Sequence, residues 1–402
     1  MFSIDEINEK ALKKFEDIGY PDSSNEFWKY TNLKKFKTLD FIKPNYNSYD
    51  KNHTFNFELN IPTITIYNGK IMSYPDNKNC VLLKDKLKNC SDSFYNSIFS
   101  HKEKEIENNP FLILNNANFK NGIYINLNSN MNKLKIRIIS SNNSNDYASS
   151  YNKVIIDAEK GTNSSVYIQN TFLDENSKYY KNNTLDINLK ESSNISLINL
   201  FDESNESFCM NNISINQESN SNINMKSFFL NSGFIRTNII NNLNEPDSYS
   251  NLDGLFIGKE NEFIDNNLII NHNTKHTFSN VMYKGILDGK SNAVFNGLVN
   301  VPKDSFQINS DQKNHNIILS ETAKINSNPK LKISCDDVKC AHGSTIGNLD
   351  EEELFYLRSR GITLNKSRQI LLKSFINEII DDISDVNCKN FINNKVENIF
   401  YE

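Results

Sequence analysis

Alanine, glycine, proline and arginine are scarce in this 402-residue chain, with 13 glycines, 8 prolines and only about five of the 44 basic residues as arginine. Cysteine is sparse too. The six residues include no Cys-x-x-Cys, which argues against a disulfide framework and fits reduced thiols in a reducing compartment. No apolar run approaches the roughly 20 residues that span a bilayer, so no membrane association is expected. Clustered basic charge is also missing: the lysines are dispersed among 49 acidic residues for a net charge of -5, and no nucleic-acid partner is expected. The first residues, MFSIDEINEK, carry acids and no apolar stretch of the kind an export signal needs. A cytoplasmic protein is the expectation.

What is abundant is asparagine, about 70 residues. High Asn can mark prion-like low complexity, but here it is interleaved with Ile, Leu, Phe and Val. Asn, Lys, Ile, Phe and Tyr rise while Ala, Gly, Pro and Arg fall, which is the signature of AT-rich coding DNA. Composition therefore reports on the genome, and function is read from positions that resist the drift. From 331 to 361 there is one Asn, Asn348. With 38% hydrophobic residues the chain can form two or three packed units.

Three stretches differ in pattern. Residues 1–105 read as a helical and mixed segment. Ser3 and Glu6 have capping-box spacing, Ile4, Ile7, Ala11, Phe15 and Ile18 recur at three or four, and Gly19 with Pro21 stops the helix. The only Trp follows, in EFWKYTNLKKF. From 106 to 345 come runs such as KLKIRIIS, SVYIQNTF, ISLINLF and NAVFNGLVNV, which predict strands of about five residues with turns every 8 to 12. Polar turns recur near Asn163, Asn194, Asn222, Asn261 and Asn292, at intervals of 31, 28, 39 and 31 residues. A period near 30 with one insertion predicts a solenoid. The strands outnumber those of a β-sandwich, so the expectation is a mainly β chain forming a parallel β-helix, with Asn in left-handed turns. Residues 346–402 switch to a helical period. Asp350 is a cap, Glu353 sits at the box position, Arg358 and Arg360 fill the last turn and Gly361 ends it. A second helix from about Lys366 presents Leu372, Ile376, Ile379 and Ile383 on one face. Such a pair packs either on the solenoid or on a partner chain.

Few constellations carry chemistry. Gly285-Ile-Leu-Asp-Gly289-Lys290-Ser291 resembles a phosphate loop but has one residue too few between its glycines and leads into a strand pattern, so a turn is predicted and ATP binding is not. Cys335, Cys340 and His342 lie within eight residues, and Cys-x-His on a strand places both side chains on one face, as ligands for zinc or iron. Packing roles compete with that assignment, because a closed metal site wants four ligands. His272 and His276 form a second pair, for which coil packing is favoured. No Gly-x-Ser-x-Gly elbow occurs. A β-helical carbohydrate-active enzyme, a polysaccharide lyase or hydrolase, is the enzymatic alternative, and a metal carrier acting alone is a third reading.

From 275 to 361 the segments KHTFSNVMYKGILDGKSNAVFNGLVNV, QINSDQKNHNIILSETAKINSNPKLKI and CDDVKCAHGSTIGNLDEEELFYLRSRGI closely resemble the SufB/SufD family of iron-sulfur cluster assembly proteins, nearer its SufD members. EFWKYTNL looks like the family's Trp-Lys-Tyr-Thr segment. The resemblance implies a right-handed parallel β-helix flanked by amino-terminal and carboxy-terminal α-helical segments, serving as a non-catalytic scaffold. It implies pairing with a SufB-like paralogue through the β-helix and with a SufC-like ATPase through residues 346–402, ATP being bound by that ATPase only. A homodimer is the alternative for the isolated chain. No cofactor is expected to bind tightly to the chain alone. Iron or an iron-sulfur cluster would be held transiently at the SufB interface, with His342 and Cys340 as its ligands. Asp350, Glu353, Leu354, Phe355, Leu357, Arg358 and Arg360 are expected at the ATPase dock. SufB members carry Glu-His-Glu where Ala341 and Gly343 flank His342 here, so no self-sufficient catalytic site is implied. Cys335 stands where relatives have Ala and receives no role.

Overall fold

The computed structural model describes residues 2–46, 49, 55, 57–99 and 109–401. Successive strands alternate between two sheets, so each coil adds one strand to each sheet and the chain winds into a solenoid of about eight coils. The first sheet includes Phe208–Gln217, Phe234–Leu243, Phe263–His272, Asn292–Val301 and Lys324–Ile333, each parallel to the next. The second includes Asn222–Asn231, Tyr249–Gly258, Phe278–Leu287, Ile308–Ile318 and Val338–Gly347. Helices flank the solenoid toward both ends of the chain. The mainly β solenoid read from the residue pattern is therefore the fold.

Three details of the repeat correct the sequence-based expectation. Most coil strands have ten residues, not five. The predicted turns fall at or just before Asn163, Asn194, Asn222, Asn261 and Asn292, but many other Asn lie inside strands, where parallel register stacks like on like. Asn300 Nδ2 donates to Asn271 Oδ1 (3.1 Å), Asn271 to Asn242 (2.8 Å), Asn242 to Asn216 (3.0 Å), Asn216 to Asn188 (3.1 Å) and Asn188 to Asp157 (2.7 Å). Second, the 39-residue interval is no insertion. Asn163, Asn194 and Asn222 are register partners in the second sheet, whereas Asn292 opens a strand of the first. Within the first sheet Phe208, Phe234, Phe263 and Asn292 pair in succession, so the coil length stays near its mean. Third, among the described residues only Asn68 and Asn220 are asparagines at positive φ. The other non-glycine residues there are Ser192, Asp247, Glu260, His276 and Gln307.

Inside the coils, alternate residues form the core. Leu185, Ile213, Ile239 and Leu268 stack in register, all buried. Phe201 and Phe229 stack on neighbouring strands at 4.8 Å with planes 4° apart. Each such side chain contributes about 1.5–3 kcal/mol through burial.

The outer faces are covered by the two ends of the chain. The helix Ile4–Ile18 carries the expected capping box of Ser3 and Glu6 and ends at Gly19, φ 69°. Its Ala11 packs with Ile113 and Ala117 of the helix Pro110–Asn118. Trp28 is buried, its ring centre 3.8 Å from the guanidinium carbon of Arg236 on the first sheet. Arg236 is buried, pairs with Asp265, and donates to Thr31 Oγ1 (2.9 Å) and to the Phe27 carbonyl (2.8 Å). The Trp-Lys-Tyr-Thr segment is thus a clasp.

At the other end stand helices Glu351–Ser359, Leu364–Ile380 and Val386–Tyr401. The second begins two residues earlier than expected, where Thr363 caps it, and the third was not anticipated. Its apolar residues Cys388, Phe391, Ile392 and Val396 are helically spaced, but the polar residues Asn393, Asn394, Lys395 and Glu397 among them obscured the pattern. Leu372, Ile376 and Ile379 of the second helix, Ile383 beyond its end at Ile380 rather than on its face as expected, and those of the third helix pack on Ile198, Leu200, Phe228, Leu255 and Ile286 of the second sheet. For these two helices the solenoid itself is the packing partner.

Candidate functional site

The last coil consists of Lys324–Ile333 and Val338–Gly347, which end their respective sheets. Among the described residues each strand is bonded along one edge only, which leaves a row of backbone donors and acceptors for another chain. The register pairs Ser310 with Cys340, Gln312 with His342 and Asn314 with Ser344. Ser310, Gln312 and Asn314 are buried inside the solenoid. Their partners continue the same interior columns one coil further, where the end lies open: Cys340 is half-buried and His342 exposed. Ser344 and Ser327 join the two strands through their hydroxyls at 2.7 Å, and Ser327 donates to Asn314 Oδ1 at 2.6 Å.

Cys340 and His342 share one face, as the strand period requires. Burial raises the Cys340 thiol above its ordinary range, keeping it protonated at neutral pH until something displaces the proton. Beneath His342, Gln312 keeps a buried Oε1 with no hydrogen-bond partner among the described residues. Thiolate and imidazole are suitable iron donors. Yet no group of three or more His, Cys, Asp or Glu that could hold a metal is present among the described residues. The open end offers part of a coordination sphere, and further ligands must come from elsewhere.

The other sequence candidates fall into place. His272 points into the solenoid, bonded to Thr277 Oγ1 (2.7 Å) and Ser279 Oγ (2.9 Å), and burial lowers its pKa to about 4. His276 occupies a turn at φ 55°, edge-on to Phe306 at 6.0 Å. The two do not act together. Gly285 lies within the strand Phe278–Leu287, where a Cβ would meet the Phe256 ring at 2.3 Å, and Gly289 turns the chain at φ 62° into the strand Asn292–Val301. The phosphate-loop look-alike is a β-turn.

Of the residues expected at the ATPase dock, Asp350 caps its helix, accepting from the N–H groups of Glu352 (2.8 Å) and Glu353 (3.0 Å). Leu354 faces inward and is buried, and Leu357 is half-buried. Glu353, Arg358 and Arg360 are exposed, as is Phe355 with 74% of its surface free. Tyr356, missed in the sequence, stands beside it at 58% exposure under the Arg360 guanidinium, 5.1 Å from its ring centre. Two adjacent aromatic residues on a helix with one inward leucine were the available signal. Among the described residues no helix is long and apolar enough to cross a membrane.

Comparison with known proteins agrees with this geometry. The chain is 34% identical over 163 residues to the iron-sulfur cluster assembly protein SufD of Escherichia coli, covering 40% of this chain and 38% of that protein. It is 43% identical over 116 residues to an iron-sulfur cluster assembly SufBD family protein of Synechocystis, covering 29% of this chain and 25% of that protein. It is 37% identical over 107 residues to the chloroplastic protein ABCI7 of Arabidopsis thaliana, covering 27% and 22%. The matched stretches span less than two fifths of these relatives' lengths. Residues 138–375, more than half of the chain, match the family model described as SUF system FeS cluster assembly, SufBD core domain. The solenoid, its open end and these matches together place the chain in the SufB/SufD family of iron-sulfur cluster assembly proteins, as a SufD-type member.

Proposed function

We propose that the chain is a non-catalytic scaffold subunit of a SufBCD-type complex acting in the cytoplasm. The open end of the solenoid carries this reading. Two strands with free edges invite a second β-helix, and Cys340 with His342 bring an incomplete donor set to the place where that partner would sit. A SufB-like paralogue docked there supplies the missing ligands, and iron or a nascent cluster is held across the seam as cargo. His342 contributes an imidazole nitrogen. Cys340 contributes sulfur once its proton is lost on metal binding.

The helix Glu351–Ser359 supports the second half of the proposal. Its exposed Phe355 and Tyr356, flanked by Arg358 and Arg360, form an aromatic and basic face of the type enriched at interaction hot spots. A SufC-like ATPase seated there would bring the nucleotide chemistry that the β-turn at Gly285–Ser291 does not provide.

The test is anaerobic co-expression of this chain with SufB-like and SufC-like proteins from the same source. The proposal expects the three to elute as one assembly in size-exclusion chromatography. Elution of this chain by itself, with both other proteins folded and present, contradicts it.

A further inference from the structure

We propose that Cys335 and Cys340 form a reversible disulfide within the chain, with Cys335 as the resolving thiol for Cys340. The two flank the turn that joins the last two strands. Cys335 follows Lys324–Ile333, and Cys340 is the third residue of Val338–Gly347. The chain reverses at Asp336 and Asp337. Ser334 N–H bonds to the Val301 carbonyl (2.9 Å) on one side, and Val338 N–H bonds to the Asp336 carbonyl (3.1 Å) on the other. This reversal returns both cysteines to one small apolar cluster, in which they pack against Val299, Val301 and Ile308. Both are half-buried and within reach of solvent, whereas Cys80, Cys209 and Cys388 are buried. Cys90, the remaining half-buried cysteine, belongs to a different cluster. Cys335 and Cys340 are therefore the one pair of cysteines that is partly accessible and packs against a shared cluster, five residues apart across one bend.

Glutathione disulfide is a sufficient oxidant. One cysteine sulfur attacks it, the glutathione S–S bond breaks, and a mixed disulfide forms as the first glutathione leaves. The second cysteine sulfur then displaces the second glutathione. Two thiols of the chain are oxidised to one disulfide, the oxidant is reduced to two glutathione thiols, and the two protons go with them. A lone cysteine at an open protein end is exposed to oxidation past sulfenic acid, which is irreversible; a neighbouring thiol halts that course at a disulfide that reductants reopen. In a reducing compartment such a bond is transient and acts as a sensor. While it exists, Cys340 has no thiolate to offer a metal. The inference concerns the two sulfurs alone and stands whether or not Cys340 holds iron.

Trypsin cuts after Lys332, Lys339 and Arg358, so the two cysteines fall on the adjacent peptides 333–339 and 340–358. The full chain, purified under reducing conditions, is exposed to glutathione disulfide, quenched with an alkylating agent, digested and measured by mass spectrometry. The expected product is peptide 333–339 linked to 340–358, lost on treatment with dithiothreitol. In Cys335→Ser the expected product is 340–358 carrying glutathione. The proposal is overturned if wild type also carries glutathione on Cys340 with no link. It is equally overturned if both peptides remain alkylated while Cys90 is glutathionylated, or if 340–358 is found linked to a second copy of itself.

Discussion

Ser344 Oγ lies 2.7 Å from Ser327 Oγ, tying together the two strands of the last coil one inward position beyond His342. Ser327 extends the tie to Asn314 in the coil beneath. Strands bonded on one side only would fray without such ties. With them, the imidazole of His342 and the sulfur of Cys340 are presented on a fixed backbone before any partner arrives, and preorganisation of that kind lowers the cost of binding.

Arg236 is the most deeply placed cation that meets the amino-terminal clasp. Arg236→Ala removes the partner of buried Asp265 together with the stacking surface of Trp28. Breaking a buried pair by deleting one member costs about 3–5 kcal/mol. Denaturant unfolding followed by far-UV circular dichroism is expected to report a loss of that order. A loss below about 1 kcal/mol, the level of ordinary surface changes, refutes the clasp.

The asparagine ladder on the first sheet gives a second test. Asn242 both donates to Asn216 and accepts from Asn271, whereas Asn300 only donates within that ladder. Asn242→Ala leaves a donor and an acceptor unmatched and is expected to cost about 1–2 kcal/mol. Asn300→Ala is expected to cost less. Equal unfolding midpoints for the two variants would mean that the ladder is geometric rather than stabilising.

The ladder also explains what was legible in the sequence and what was not. The two-residue period and the recurrence near 30 announced the solenoid, because inward Ile, Leu, Val and Phe could not change without opening its core. Strand length was misread because Asn and Ser break the apolar runs, whereas the ladder of Asn188, Asn216 and Asn242 shows such Asn continuing a strand. Their role comes from identical neighbours one coil away, a distance of 26 to 28 residues that no local window spans. Cys340 and His342 were legible as a face, since strand periodicity alone puts them together. The openness of that face was not, because it depends on where the solenoid stops. Leu354 and Phe355 were likewise treated alike in sequence, and only packing separates the buried leucine from the exposed ring.

That separation can be measured. Leu354→Ala is expected to destabilise the chain by about 2–5 kcal/mol. Phe355→Ala is expected to leave the unfolding midpoint within about 0.5 kcal/mol of wild type. In a pull-down or calorimetric titration with the SufC-like ATPase, Phe355→Ala should weaken binding about tenfold or more, as loss of a hot-spot aromatic does. Unchanged affinity for Phe355→Ala and Tyr356→Ala together would place the dock elsewhere.

His272 sets a pH dependence. Its folded-state pKa is depressed to about 4 from 6.5 by burial. Above pH 6.5 it is neutral in both states and titration costs nothing. Between about 6.5 and 4 the unfolded chain takes up a proton that the folded chain refuses, so stability falls with pH through that window. The loss from this group amounts to roughly 3 kcal/mol by pH 4. Denaturant titrations across the window should give a shallower slope for His272→Gln than for wild type. Parallel slopes would mean that another group governs the acid limb.

The central claim is that His342, at the open end, holds iron or a nascent cluster jointly with a SufB-like partner. The most direct measurement is iron and acid-labile sulfide per complex, for wild type and His342→Ala, each co-expressed anaerobically with SufB-like and SufC-like proteins and purified to equal subunit ratios. The account predicts intact complexes, with iron and sulfide several-fold lower in the variant. Equal iron and sulfide in equally assembled complexes would contradict it.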